Sequence, residues 1–242
     1  MRKMAFAVAM ALLIVGGGAT AAAGDDPKEL ESNCDAGDFD ACAELGRFYE
    51  RKFMWHSDIP QDFARAVSLF QKACDGGSLK GCAFLGLSYG SGDGIQQDLA
   101  LAVALLEKAC EGNDKYGCYF LGNAYKYGGG VPQDFARASS LYEQACNLES
   151  FSACWSGANL HAHKGGDLKD ATRWAMFMEQ ACHLSDRDPT HREAGMECFT
   201  LGFAYDLGMW GVPKDTDHAT ELFKIGCFKG HEKACVFLKN KR

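Results

Sequence analysis

The sequence predicts an all-α protein: a right-handed α/α solenoid of helical hairpins held by local disulfides. Three observations carry that expectation. Cysteines recur in pairs at a fixed period, the intervals between pairs hold two apolar seams at helical spacing, and no stretch alternates as a half-buried strand would. The 12 cysteines of the 242-residue chain stand at 34/42, 74/82, 110/118, 146/154, 182/198 and 227/235. Five pairs are eight residues apart and one is sixteen apart. From the second cysteine of a pair to the first of the next is 32, 28, 28, 28 and 29 residues, a unit of about 36.

Residues 1–23 read as an export signal. Arg2 and Lys3 precede an apolar run that ends in Ala21-Ala22-Ala23, an Ala-x-Ala cleavage pattern. An uncleaved anchor is the rival reading, weakened by Gly16-Gly17-Gly18 and the alanines. The predicted mature part, 24–242, is one solenoid domain of five hairpins with a half-unit at each end. Residues 27–34 make the opening half-unit, a second arm alone, and 235–242 the closing one, a first arm alone.

The first arm of each unit repeats Cys-x-x-Leu-Gly-x-x-Tyr: Cys42, Leu45, Gly46 and Tyr49; Cys82, Leu85, Gly86 and Tyr89; Cys118, Leu121, Gly122 and Tyr125; Cys198, Leu201, Gly202 and Tyr205. These steps place the residues on one helical face. Glycine inside a helix costs about 1 kcal/mol against alanine, so its recurrence predicts a neighbouring helix too close for a side chain. A glycine-containing turn follows, then Pro-x-Asp at Pro60/Asp62, Pro132/Asp134 and Pro213/Asp215, with Asp98 alone in unit two. The proline is expected at the first helical position and the carboxylate at the positive helix end. The second arm carries Ala66, Leu69, Phe70 and Ala73, matched by Ala102, Leu105, Leu106 and Ala109 and by Ala138, Leu141, Tyr142 and Ala145.

Cysteines eight apart on a straight helix would lie about 12 Å apart, beyond the ~7 Å Cα limit of a disulfide, so pairing needs a reversal between them. Gly76-Gly77, Gly112-Asn113, Gly37 and Gly230 supply one, and between Cys146 and Cys154 the best substitute is Asn147. Six local bridges are therefore expected: Cys34 to Cys42, Cys74 to Cys82, Cys110 to Cys118, Cys146 to Cys154, Cys182 to Cys198 and Cys227 to Cys235. A zinc site is the rival. It would need closer cysteine spacing or further ligands, and His183, His191 and His231 form no repeated set.

The stretch from Leu121 and Gly122 through Tyr125, Gly128, Gly130, Pro132 and Asp134 to Ala138, Leu141, Tyr142 and Ala145 resembles the Sel1-like repeat, a relative of the tetratricopeptide repeat. With the paired cysteines and the export signal, residues 27–242 look like the Helicobacter cysteine-rich protein family. Unit four departs from the pattern: Cys154-Trp155-Ser156-Gly157-Ala158 loses the leucine, and His161 takes the tyrosine position. Unit one has extra residues around Met54-Trp55-His56, and a long insertion runs over 184–197.

The resemblance implies a secreted or periplasmic scaffold that binds a protein, a peptide or a cell-wall (peptidoglycan) fragment along a face built by the first arms. It also implies, as an alternative, a weak β-lactamase or penicillin-binding hydrolase, and more remotely a mitochondrial intermembrane-space assembly factor. The chemistry of β-lactam hydrolysis is hard to find in these residues. No serine has a lysine three residues on, Ser-Asp-Asn and Lys-Thr-Gly are missing, and His161-Ala162-His163 lacks the rest of a metallo-β-lactamase motif. That histidine pair reads as polar helix-end surface. No catalytic residue is assigned, and no cofactor and no metal are expected. A net charge of −7, or −9 once Arg2 and Lys3 are removed (23 basic against 32 acidic), argues against nucleic acid, and no membrane attachment is expected after signal cleavage.

The candidate binding residues are apolar. Phe53, Met54 and Trp55, and Met209 and Trp210, occupy turn insertions, and read either as a binding rim or as caps on the array ends. Trp155 and Trp174 read as core. Tyr49, Tyr89, Tyr125 and Tyr205 read chiefly as packing, and Glu107, Lys108 and Glu143 as a solvated face.

Overall fold

A computed structural model describes residues 26–50, 60–162, 168–185 and 195–240. Among them are twelve α-helices and no strand: α1 (Pro27–Asp35), α2 (Phe39–Glu50), α3 (Phe63–Asp75), α4 (Leu79–Ser91), α5 (Leu99–Glu111), α6 (Lys115–Tyr127), α7 (Phe135–Asn147), α8 (Phe151–His161), α9 (Ala171–Leu184), α10 (Met196–Leu207), α11 (Thr216–Phe228) and α12 (Glu232–Asn240). The pairs α2/α3, α4/α5, α6/α7, α8/α9 and α10/α11 are the five hairpins, and α1 and α12 are half-units. Each arm also packs on the arm before it across a cysteine turn, so a helix contacts its sequence neighbours and the array has no central core. The export signal and the Phe53, Met54 and Trp55 insertion lie outside the described residues.

Second arms start in one way throughout. Asp62, Asp98, Asp134, Asp170 and Asp215 are N-caps, each accepting from the backbone N–H three residues on. In four units the aspartate's own N–H donates to the carbonyl of Tyr49, Tyr89, Tyr125 or Tyr205 at 2.8–3.0 Å, tying the end of the first arm to the start of the second. The prolines do not open the helices as expected: Pro60, Pro132 and Pro213 stand two residues before the cap. The aspartate takes the boundary because its carboxylate satisfies an otherwise unpaired amide.

The first-arm glycines face the second arm of their own hairpin. A Cβ on Gly46 would meet the Phe70 ring, one on Gly122 the Tyr142 ring and one on Gly202 the Phe223 ring. Gly86 is closed by the Ala102 carbonyl and Leu106. Unit four keeps the contact by shifting both partners by one residue: Gly157 replaces the leucine of the motif, and Phe177 above it stands one place earlier than Phe70 or Tyr142.

The twelve cysteines are bonded as 34–42, 74–82, 110–118, 146–154, 182–198 and 227–235, with Cα separations of 4.4–4.8 Å. In the five short turns the residue three after the first cysteine adopts positive φ: Gly37, Gly77, Asn113, Glu149 and Gly230. The reversal between Cys146 and Cys154 therefore falls on Glu149 (φ 62°) and not on Asn147, because the left-handed position is fixed by its distance from the cysteine.

Lateral packing changes along the array. First arms α2 and α4, and α4 and α6, touch, whereas second arms α3, α5 and α7 stand farther apart. The inner side of the first three units is therefore built by first arms. Between units three and four, contact passes to the second arms α7 and α9.

Candidate functional site

On each first arm, which forms the inner side in the first three units, the residues two before, two after and five after the second cysteine of a pair share a helical stripe. They read Asp40, Glu44, Arg47 on α2; Lys80, Phe84, Leu87 on α4; Tyr116, Phe120, Asn123 on α6; Ser152, Ser156, Asn159 on α8; and Met196, Thr200, Phe203 on α10. Most are half-buried. While the leucine–glycine seam repeats with little change, this stripe differs in every unit.

The stripe is organised by charge at one end and rings at the other. Glu44 takes Arg47 Nη1 at 2.8 Å and Lys80 Nζ at 2.9 Å, a bridge from α2 to α4. Burial pushes the Glu44 carboxyl up, but the charges of Arg47 and Lys80 and their hydrogen bonds outweigh it and hold the carboxyl below its ordinary value. The Arg47 guanidinium lies 5.0 Å from the Phe84 ring centre and 5.4 Å from that of Tyr116. Phe84 meets Tyr116 at 4.9 Å with the rings tilted by 44° and meets Phe120 at 5.9 Å, and Phe120 meets Tyr119 at 5.3 Å. Ser78 donates to Asp40, and with Lys80 and Asp114 these line a shallow cavity of about 310 Å³ at the rim of the same face. Farther along, the buried Tyr142 hydroxyl donates to Asn123 Oδ1 at 2.7 Å, which occupies the amide oxygen and not its N–H groups. The inner face of the first three units thus offers rings, a guanidinium held by Glu44, and an amide.

Other expected residues fall differently. Tyr125 is buried, and Tyr49, Tyr89 and Tyr205 are half-buried against the core. Arg65 covers the Tyr49 ring at 4.4 Å and Arg137 the Tyr125 ring at 4.6 Å. Trp174 is buried and Trp155 half-buried. Trp210 is half-buried, and its indole meets Trp174 edge-on at 5.4 Å, joining the α10–α11 turn to α9. Glu143 is no simple solvated residue either, since Arg173 Nη1 reaches it at 3.3 Å.

His161 is buried at 3% exposure, contrary to its reading as polar surface, while His163 lies outside the described residues. Its Nε2 lies 2.7 Å from Ser139 Oγ, which also accepts from Arg173 Nη1 at 3.1 Å, and its ring lies parallel to Phe177. Burial holds the imidazole below its ordinary pKa, with Asp170 opposing and Arg173 reinforcing the shift. This serine–histidine contact resembles a nucleophile and its base, but Ser139 is 1% exposed, so no substrate carbonyl reaches it in the folded chain. Among the described residues no group of three or more His, Cys, Asp or Glu side chains is placed to hold a metal ion, and no helix is long and apolar enough to cross a membrane.

A sequence model of the Sel1 repeat matches residues 39–78, 79–114, 115–150 and 198–231, leaving out the aberrant fourth unit. No curated protein matches the chain. Among solved structures, a Sel1 repeat protein from Oxalobacter formigenes is 22% identical over 86% of each chain with a TM-score of 0.59. One from Klebsiella pneumoniae subsp. pneumoniae is 20% identical over 88% of this chain and 98% of its own, with a TM-score of 0.54. Both share the fold. Helicobacter pylori cysteine rich protein B is 30% identical over 58% of this chain and 99% of its own, with a TM-score of 0.42.

Proposed function

This chain belongs to the Sel1 repeat family, a family of scaffolds for protein–protein contact, and from that premise we propose that it is an exported scaffold holding an extended peptide segment of a partner on its inner face. One observation carries the reading. The inner stripe varies from unit to unit over a leucine–glycine seam that four of the five units keep, which is what a surface shaped by its ligand looks like on a repeated frame. The chemistry fits a peptide: Tyr116 and Phe120, backed by the buried Phe84, for side chains, and the Asn123 amide for a backbone carbonyl. Export rests on the signal pattern of residues 1–23, with 24–242 as the mature part, and on six disulfides, which persist outside the cytosol. A cell-wall fragment is the competing occupant of the same face.

Panning a random peptide library on the oxidised chain tests this. Enriched peptides should bind Tyr116→Ala and Phe120→Ala about tenfold more weakly, the worth of a buried aromatic anchor. They should bind Glu221→Ala, on the exposed side of α11, as tightly as the unaltered chain. Equal binding to all three variants would remove the peptide from the inner face. Muropeptides that outcompete every enriched peptide there would replace it as the occupant.

A further inference from the structure

Three residues past their capping aspartates, where the backbone N–H meets the cap, the second arms carry Arg65, Leu101, Arg137, Arg173 and His218. Arg65 lies flat over Tyr49 and reaches Glu31 of the preceding second arm at 3.0 Å. Arg137 lies over Tyr125. Arg173 reaches Glu143 of the preceding second arm at 3.3 Å. The carboxylate stands three residues before the first cysteine of its pair, and it tracks the cation. Glu31, Glu107, Glu143 and Glu179 precede Arg65, Arg137, Arg173 and His218, whereas Gln71 precedes Leu101. Unit one carries the full stack of carboxylate, guanidinium and ring, unit three shows the guanidinium on its ring and unit four the guanidinium on its carboxylate, while unit two has neither charge.

Unit five keeps the two ends of that stack and puts a histidine, not an arginine, in the middle. Glu179 and Tyr205 are both present, but His218 is too short to lie across the ring. It meets Tyr205 edge-on at 4.6 Å and leaves Nε2 3.5 Å from Glu179. Beside it opens a cavity of about 540 Å³ between α9 and the α10–α11 turn, walled by Glu179, Tyr205, Met176, Ala175, Val212 and Pro213. The walls offer an anion, an aromatic ring and apolar side chains that suit a methylene stem. Burial, with the Glu179 and Asp215 charges adding to it, raises the Tyr205 hydroxyl above its ordinary pKa, so the ring stays neutral.

We propose that this cavity takes an arginine side chain of a partner polypeptide, which completes in trans the carboxylate–guanidinium–tyrosine stack that the chain builds for itself in unit one. Arginine suits it better than lysine, because a planar guanidinium both stacks on the ring and pairs two-fold with a carboxylate, whereas an ammonium is a hydrated point charge. The acidic chain, at −7 overall, favours the approach of such a partner. The site is separate from the inner face and does not depend on it.

The test uses the oxidised chain with N-acetyl-arginine N-methylamide and its lysine counterpart, followed by calorimetry and by the indole NMR signal of Trp210, next to the wall residue Gly211. The arginine probe should bind with a Kd of about 1 mM, about tenfold tighter than the lysine probe. Glu179→Gln should weaken it about tenfold, and His218→Arg, which supplies the missing guanidinium in cis, should abolish it. Phe120→Ala should leave it unchanged. The proposal is overturned by no saturable binding, by equal binding of the two probes, or by undiminished binding to a His218→Arg chain whose six disulfides are intact. Tighter binding of free agmatine than of the capped arginine overturns the polypeptide as its source.

Discussion

The packing of first arm on second is open to a signed test at two glycines that differ only in surroundings. A Cβ on Gly122 would lie 2.7 Å from Tyr142 Cε1 and 2.8 Å from Cδ1. Tyr142 has no exposed surface and donates to Asn123 Oδ1 at 2.7 Å, so the ring has nowhere to go without breaking that bond. Overpacking of this kind costs about 1–3 kcal/mol, and losing the hydrogen bond about 1 more. The better helix propensity of alanine offsets about 1 kcal/mol. Gly122→Ala should therefore lose about 1–3 kcal/mol, or about 3–10 °C in Tm for a chain of this size. Gly90, near the end of α4, is the control. Its nearest neighbour to an added Cβ is Ala102 Cβ at 3.8 Å, an ordinary contact. There the propensity gain stands alone, and Gly90→Ala should raise stability by about 0.5–1 kcal/mol. Thermal melts of the oxidised proteins followed by circular dichroism decide the matter. A Gly122→Ala chain that melts at or above the unaltered protein would refute close approach as the reason for the repeated glycine.

Three further outcomes follow from named contacts. Asp134→Ala removes the acceptor for Arg137 N–H and should cost about 0.5–2 kcal/mol in urea titrations, with Asp134→Asn retaining most of it. Replacing Cys110 and Cys118 together by serine opens a nine-residue loop and should lower stability by about 2–3 kcal/mol in the chain-entropy account, with the other five bridges intact by mass mapping. His161 makes unfolding depend on acid. Its folded pKa lies below its unfolded one, so as pH falls below about 6.5 the unfolded chain takes up the proton first, and stability drops until pH passes the folded value. Between pH 7.5 and 5 the urea midpoint of the unaltered chain should fall more than that of His161→Gln. Parallel profiles would show that the buried imidazole is not responsible.

Period, helix count and apolar faces were legible because each depends on neighbours in sequence. Cysteine spacing fixes where the chain turns, and steps of three and four fix which side of each arm is buried. The aberrant fourth unit was visible as an irregularity, yet its remedy was not. That Gly157 and Phe177 move together by one place is a relation between two arms, and neither arm records it alone. Local rules also erred where two of them competed. Proline fits the first helical turn, but the aspartate two residues on satisfies a backbone amide and so sets the boundary. Asparagine tolerates positive φ, but the turn demands it three residues past the cysteine, where Glu149 stands.

The two candidate binding regions were hidden for a different reason. Arg47 between Phe84 and Tyr116, and the cavity under Glu179 and Tyr205, join residues from successive units, tens of positions apart. A comparison of units position by position exposes the variable stripe and the paired Glu and Arg, but only the stacked arms decide which of those positions face each other. The sequence by itself determined the rods, their reversals and their sulfur links, since these are set by short-range spacing. The tertiary structure decided which side chains meet across rods and where space is left between them, because that depends on interatomic distances no spacing rule contains.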